Sequence, residues 1–271
     1  MKYDEPSAAK WESGVCKANS IEMRYLRTGG DKPSLVALHG LMGSGPCLSP
    51  LARSLEDDFD VVMPDAREHG RSSAPSKGYL YRQHAYDVLG PVKALELNKP
   101  VLLGHSMSGM TAAVVASQLG PAILGVVLVD PTFISPEWQL KVYESDIAEE
   151  HRQFLEMTKS DALVEARLRH HTRSAEIIEL MTDARLQTSL NAFEVLKPPN
   201  PDYCELICSI GAPTLLIIAS NGVVSVDAAA ELLSLNPLLR SELIPDAGHG
   251  LPYDKPEFLG EIIKCLLRRE T

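Results

Sequence analysis

Five short apolar runs set what this chain can fold into: Leu35 to Leu38, Val61 to Met63, Val101 to Leu103, Ile123 to Val129 and Thr214 to Ile218. Each is rich in Leu and β-branched residues, and none alternates between apolar and polar positions. Continuous apolar runs of this length are strands covered on both faces, the situation inside a parallel sheet. Stretches with helical spacing lie among them: Tyr81 to Leu97, with a kink expected at Gly90-Pro91, then Thr111 to Leu119, Ala228 to Leu235 and Glu257 to Leu267. Strands alternating with helices predict an α/β fold built on a mostly parallel, doubly wound sheet. Ahead of the first run, Ser13 to Asn19 and Ile21 to Arg27 read as an antiparallel pair at the sheet edge. No internal repeat or low-complexity segment appears.

The alternation breaks between about Ile134 and Pro201. The pieces Glu137 to Glu149, His151 to Lys159, Ala162 to His171 and Ala175 to Leu190 are helical, charged and nearly free of glycine, and the cluster Lys197-Pro198-Pro199-Asn200-Pro201 ends them. We read residues 1–133 and 202–271 as one α/β core. Residues 134–201 read as a helical lid inserted after the sixth strand. It would lie over the C-terminal edge of the sheet, where open α/β sheets bind ligands.

A chain of 271 residues can bury most of its apolar surface without a disulfide or metal staple. Its formal net charge of -10, with no concentration of Lys or Arg, argues against nucleic acid as a partner. The five cysteines, Cys16, Cys47, Cys204, Cys208 and Cys265, are scattered; they read as free thiols and not as a metal site. The polar N-terminus Met1 to Pro6 lacks the apolar run of a signal peptide, and Ile123 to Val129 is too short to cross a bilayer. A cytoplasmic protein without a membrane partner is expected, needing no metal or organic cofactor.

Chemistry points first to Gly104-His105-Ser106-Met107-Ser108-Gly109, which joins a buried strand to an amphipathic helix. A sharp strand-to-helix turn holds a serine in strained geometry, and small residues two before and two after let the chain close up. Here Ser108 takes the place of the usual second glycine, and serine is small enough. The turn leaves Ser106 at a helix N-terminus, where N–H groups favour a developing oxyanion. A serine hydroxyl still needs a base. Among eight histidines, His249 stands out in the glycine-flanked loop Asp246-Ala247-Gly248-His249-Gly250, after a last strand at Ser241 to Ile244. His84, His105 and His151 carry no supporting pattern, and His170-His171 read as solvent-facing.

Four motifs then make nearly the whole chain resemble the α/β-hydrolase superfamily, in particular its lidded carboxylester and carbon–carbon hydrolases. They are His39-Gly40, the turn Asp65-Ala66-Arg67-Glu68-His69-Gly70-Arg71-Ser72, the serine turn, and Gly248-His249. The resemblance implies that Ser106 is the nucleophile and His249 the general base. It also implies that the backbone N–H groups of Leu41 and Met107 hold the oxyanion, with His39 supporting that loop. Asp65, Arg67, His69 and Ser72 would fix their turn by polar contacts.

The third member of the triad departs from the pattern. The slot after Leu215 to Ala219 that usually holds the acid contains Asn221, in Ser220-Asn221-Gly222-Val223-Val224-Ser225. Three readings compete. Asp130, at the end of the preceding strand, is favoured, since some members take their acid from there. Asn221 could orient the imidazole as an amide, at a large cost in rate. Asp227 reads as two turns into a helix and should point away.

The expected reaction is hydrolysis of a small to medium, largely apolar carboxylic ester or lactone through an acyl-enzyme on Ser106. Trp138, Tyr143, Phe154, Leu155 and Met157 are the lid side chains available to such a substrate. The same scaffold also serves carbon–carbon bond hydrolases, cofactor-free lyases and receptor-like binders with little or no turnover.

Overall fold

The computed structural model describes residues 11–267. The N-terminal stretch Met1 to Pro6 and residues 268–271 of the expected core lie outside them. Eight strands form one sheet: β1 (Glu12–Ala18), β2 (Ile21–Arg27), β3 (Ser34–Leu38), β4 (Asp60–Pro64), β5 (Val101–His105), β6 (Gly125–Val129), β7 (Thr214–Asn221) and β8 (Leu239–Gly248). Their order is β1-β2-β4-β3-β5-β6-β7-β8. β1 and β2 pair antiparallel, as does β2 with β4, and every other pairing is parallel. The apolar runs explain the centre of the sheet: every residue of β4, β5 and β6 is buried. At the edge, the pair β1–β2 alternates buried and exposed positions, as a sheet with one wet face must.

Eleven α-helices are described: α1 (Ser49–Leu55), α2 (Tyr81–Ala94), α3 (Met107–Leu119), α4 (Pro136–Tyr143), α5 (Ile147–Leu155), α6 (Lys159–Arg169), α7 (Ala175–Leu186), α8 (Tyr203–Ser209), α9 (Val226–Leu235), α10 (Leu251–Asp254) and α11 (Pro256–Leu267). The sheet has a core on each face. Val36, Leu102 and Leu128 pack with α2, α3, α8 and α9, while Leu35, Leu103 and Val127 pack with α1 and α11. That is the doubly wound arrangement expected.

Several details differ from the sequence reading. α2 runs through Gly90-Pro91 and ends at Ala94, short of Leu97. Gly90 is there for packing: a Cβ on it would lie 2.2 Å from Ala18 Cβ of β1. The stretch Glu137 to Glu149 is not one helix. α4 stops at Tyr143, the Ser145 hydroxyl donates back to Val142 O, and α5 starts at Ile147 and carries His151. α6 and α7 start behind Thr158 and Ser174, whose hydroxyls accept from Asp161 N and Ile177 N. Three short helices, α1, α8 and α10, have no counterpart in the apolar periodicity. No described helix is long and apolar enough to cross a membrane.

The strand order positions the site. After β3 the chain moves to one side for β4 and to the other for β5, so β3 and β5 are neighbours whose following loops diverge. A crevice opens at such a switch point, outside the carboxyl ends of the strands. The His39 loop and the Ser106 turn both emerge there.

Candidate active site

Ser106 is the single residue between β5 and α3, with φ 55° and ψ -120°. A non-glycine residue at positive φ is strained, and a tight surround must hold it. Gly104 is required for that closeness, because a Cβ on it would lie 2.1 Å from Ser108 O. Ser108, in the usual glycine place, is used: its hydroxyl donates to His39 O at 2.5 Å and ties the start of α3 to the end of β3. The need for glycine passes to Gly109, where a Cβ would meet Pro131 Cβ at 2.7 Å.

His249 lies just beyond β8. The Ser106 hydroxyl donates to its Nε2 at 2.8 Å, and its Nδ1–H donates to Asp130 Oδ2 at 2.6 Å. The three groups therefore form one continuous hydrogen-bond chain. Asp130 is fully buried just after β6. Its carboxylate also accepts Val223 N at 2.9 Å and Val224 N at 3.1 Å. Burial alone would raise its pKa. The His249 hydrogen bond, the two backbone donors and the imidazole charge outweigh burial and hold Asp130 below its ordinary value.

The loop after β7 thus serves Asp130 and supplies no acid of its own. Gly222 makes this possible, since a Cβ there would fall 2.5 Å from Asp130 Oδ1. Asn221 is exposed and, among the described residues, its amide reaches only Ser220 Oγ, at 3.4 Å. Asp227 is exposed in the first turn of α9, not two turns in. Neither touches the imidazole.

His105, which no motif singled out, holds the backbone of the histidine loop: its Nε2–H donates to His249 O at 2.7 Å, and the two rings sit 4.9 Å apart. Burial, with the nearby His249 charge, pushes its pKa down to about 3 and keeps it neutral. The sequence signal for it was its place beside Ser106, yet its partner lies at the far end of the chain.

Leu41 lines the crevice with Ser106, and Met107 opens α3 directly after it. Met107 N–H is the first of α3 and has no acceptor within the helix. In the other loop, Gly43 N bonds Gly40 O at 3.1 Å, and Met42, at φ 63°, donates its N–H to His69 Nε2 at 3.2 Å. His39 donates from Nδ1 to Gly40 O at 2.8 Å and accepts Ala66 N at 3.0 Å. The Leu41 N–H, between them, has no partner among the described residues. Asp65 accepts Gly45 N and Arg71 N, Arg67 grips Asp87 through two bonds of 2.6 Å, and Ser72 donates to Asp65 O. These residues fix their turn, and His69 carries that rigidity to Met42.

Four buried imidazoles are held neutral here: His39, His69 and His105 in the loops and turn of the site, and His84 on α2 beside His39. Burial holds His39, His69, His84 and His105 below the ordinary histidine value, the last two near 3. Each binds its proton more readily unfolded, at about 6.5, than folded. Their contribution to stability is complete above about pH 6.5 and is lost as pH falls toward 3. We expect the unfolding free energy from urea titrations to stay level down to about pH 6.5 and then to fall toward pH 5, by up to about 1.4 kcal/mol per pH unit per histidine. A free energy that stays level or rises over that lower range would contradict this.

A cavity of about 460 Å³ opens onto Ser106 and His249. Core residues Leu41 and Met42 line one side, and Ile147, Phe154, Arg169 and Arg185 from the helices between β6 and β7 line the other. Of the five lid residues expected at the substrate, only Phe154 lines it. Met157 lines an adjoining cavity, Leu155 lines neither, and Trp138 and Tyr143, both on α4, are exposed and line neither cavity. His170, expected in solvent, is on the wall, while His171 is exposed. Among the described residues no group of three His, Cys, Asp or Glu could hold a metal ion, and Cys16, Cys47, Cys204, Cys208 and Cys265 are free thiols.

With this geometry in hand, similarity to known proteins is informative. Residues 33–256 match the family model for the alpha/beta hydrolase fold. The chain is 29% identical to N-formylmaleamate deformylase of Pseudomonas putida, over 89% of this chain and 91% of that protein. It is 26% identical to the esterase YbfF of Escherichia coli, over 86% of this chain and 92% of that protein. The crystal structure of E-2-(acetamidomethylene)succinate hydrolase superimposes with a TM-score of 0.80 at 20% identity, covering 96% of this chain and 100% of that one, a likeness of fold.

Proposed function

This chain belongs to the alpha/beta hydrolase fold family, and from that premise we propose that it hydrolyses a small to medium carboxylic ester or lactone through an acyl-enzyme on Ser106. The observation that carries this reading is the unbroken chain from Ser106 Oγ through His249 to Asp130. Ser106 attacks the carbonyl carbon as His249 Nε2 takes its proton, and Asp130 stabilises the imidazolium so formed. The Leu41 and Met107 N–H groups receive the oxyanion. His249 then gives the proton to the leaving alcohol. Water, deprotonated by the same imidazole, releases the acid and restores Ser106. The hydrolase activity of the relatives, an esterase among them, supports acyl chemistry.

In this reading the helices of residues 134–201 act as the lid, closing the cavity over the nucleophile. An amide in the acid's slot would suit a receptor-like binder with little or no turnover. With Asp130 against the imidazole, Asn221 no longer argues for it. Two measurements test the proposal: turnover of 4-nitrophenyl butyrate, and labelling by a fluorophosphonate followed by peptide mapping. Turnover with the label on Ser106 is expected. No turnover, or a label elsewhere, would sink the reading.

A further inference from the structure

Three arginines of the helical segment face the Ser106 cavity: Arg169, Arg173 and Arg185. Two are already matched. Arg169 pairs with Glu165 at 2.9 Å, and Arg173 with Asp254 at 2.5 Å. Arg185 makes no ion pair with any described carboxylate. Its guanidinium carbon lies 3.9 Å from the centre of the Phe154 ring, and its Nε is buried with no hydrogen-bond partner among the described residues. Burial and the nearby Arg169 push its pKa down, against the opposing charges of Glu165 and Glu150. An arginine nonetheless stays protonated at any working pH.

A buried donor left unmade and a charge left unpaired are both costly. Arg185 carries that cost on the wall facing the nucleophile, in a guanidinium already fixed by an aromatic face. We propose that Arg185 binds a carboxylate carried by the substrate away from its scissile carbonyl, so that the natural substrates are half-esters of dicarboxylic acids. The inference rests on Ser106 being the nucleophile of an acyl hydrolase. A guanidinium fork matches a carboxylate through two parallel hydrogen bonds, which supplies both geometry and charge. One unmatched cation suits one monoanionic group; with Glu150 and Glu165 on the same wall, a phosphate dianion would be repelled. Leu41, Met42, Ile147 and Phe154 provide apolar surface for the methylene spacer between the two ends. Arg185 also lines the adjoining cavity beside Met157, so spacers of several methylenes have room.

The test uses the full chain and compares mono(4-nitrophenyl) adipate with 4-nitrophenyl hexanoate. Wild-type kcat/KM should favour the acid ester by about tenfold or more, the effect of one charge-assisted hydrogen-bond pair. Arg185→Met should bring that ratio to about one, and Arg185→Lys should keep part of it. Arg167→Met, an exposed residue of α6 off the cavity wall, should leave the ratio unchanged. A wild-type ratio of one or less, or a preference that survives Arg185→Met, overturns the proposal. Calorimetric titration with adipate separates this failure from that of the Ser106 reading, since binding needs no turnover. Wild type should bind adipate at least about tenfold more tightly than the Met variant. If no ester is cleaved yet adipate binding depends on Arg185, the anion site stands and the hydrolase reading falls. If wild type binds no adipate, the anion site falls. Should the Met variant melt early, Arg185→Gln carries the same comparison.

Discussion

Ser106→Ala should lower kcat for an ester by about 10⁶-fold, the loss seen when a serine nucleophile is removed from such a triad. The structure confines the damage to chemistry. The side chain caps no helix, and its only described side-chain hydrogen bond is the one to His249. The strain at Ser106 belongs to the backbone, which the surrounding contacts of Gly104, Ser108 and Gly109 hold in place. Stability measured by urea should therefore change by less than about 1 kcal/mol. Turnover in the variant within a factor of ten of wild type would remove the serine from the mechanism.

The second large effect is at Asp130. Asp130→Asn should cost about 10⁴ in kcat, as in a serine triad whose aspartate becomes an amide. An amide cannot satisfy both sides of this carboxylate. It must accept from Val223 N, Val224 N and His249 Nδ1 at once, and its NH₂ group would meet one of those donors head-on. To escape, the imidazole would present Nδ1 as an acceptor and lose Nε2 as the base. Asn221→Asp, on an exposed side chain away from the imidazole, should change kcat less than threefold or so, as most surface substitutions do little. A large gain from that change, or a loss below tenfold from Asp130→Asn, would move the acid elsewhere.

The same two positions mark where the sequence was legible and where it was not. Strand identity came through because the middles of β3 to β7 are covered on both faces and must be apolar. The Ser106 turn was legible because steric closeness dictates residue size within a few positions. The pairing of Asp130 with His249 was not, since it depends on how a loop after β7 folds back onto the end of β6. Gly222 was the local signal: a missing side chain where another group had to approach. The role of His105, and the bond from Met42 to His69, were not legible for a related reason. Each histidine is neutral, buried and bonded to backbone, and its effect passes through His249 or Met42, so residue type alone does not announce it. Trp138 and Tyr143 were misplaced because residue type does not reveal which way α4 turns its large side chains; both are exposed and line neither cavity.

Every group in the hydrogen-bond chain comes from the sheet's own turns: after β5, β6 and β8. The helices between β6 and β7 contribute only wall. Asp130 sits just before that segment begins, and the loop that braces it comes after the segment has ended. Descendants of such a chain can exchange, lengthen or rewrite the intervening helices as a cassette while inheriting the Ser106–His249–Asp130 chain untouched. Diversification of diet and conservation of chemistry are then separate heritable traits, written in different stretches of one gene.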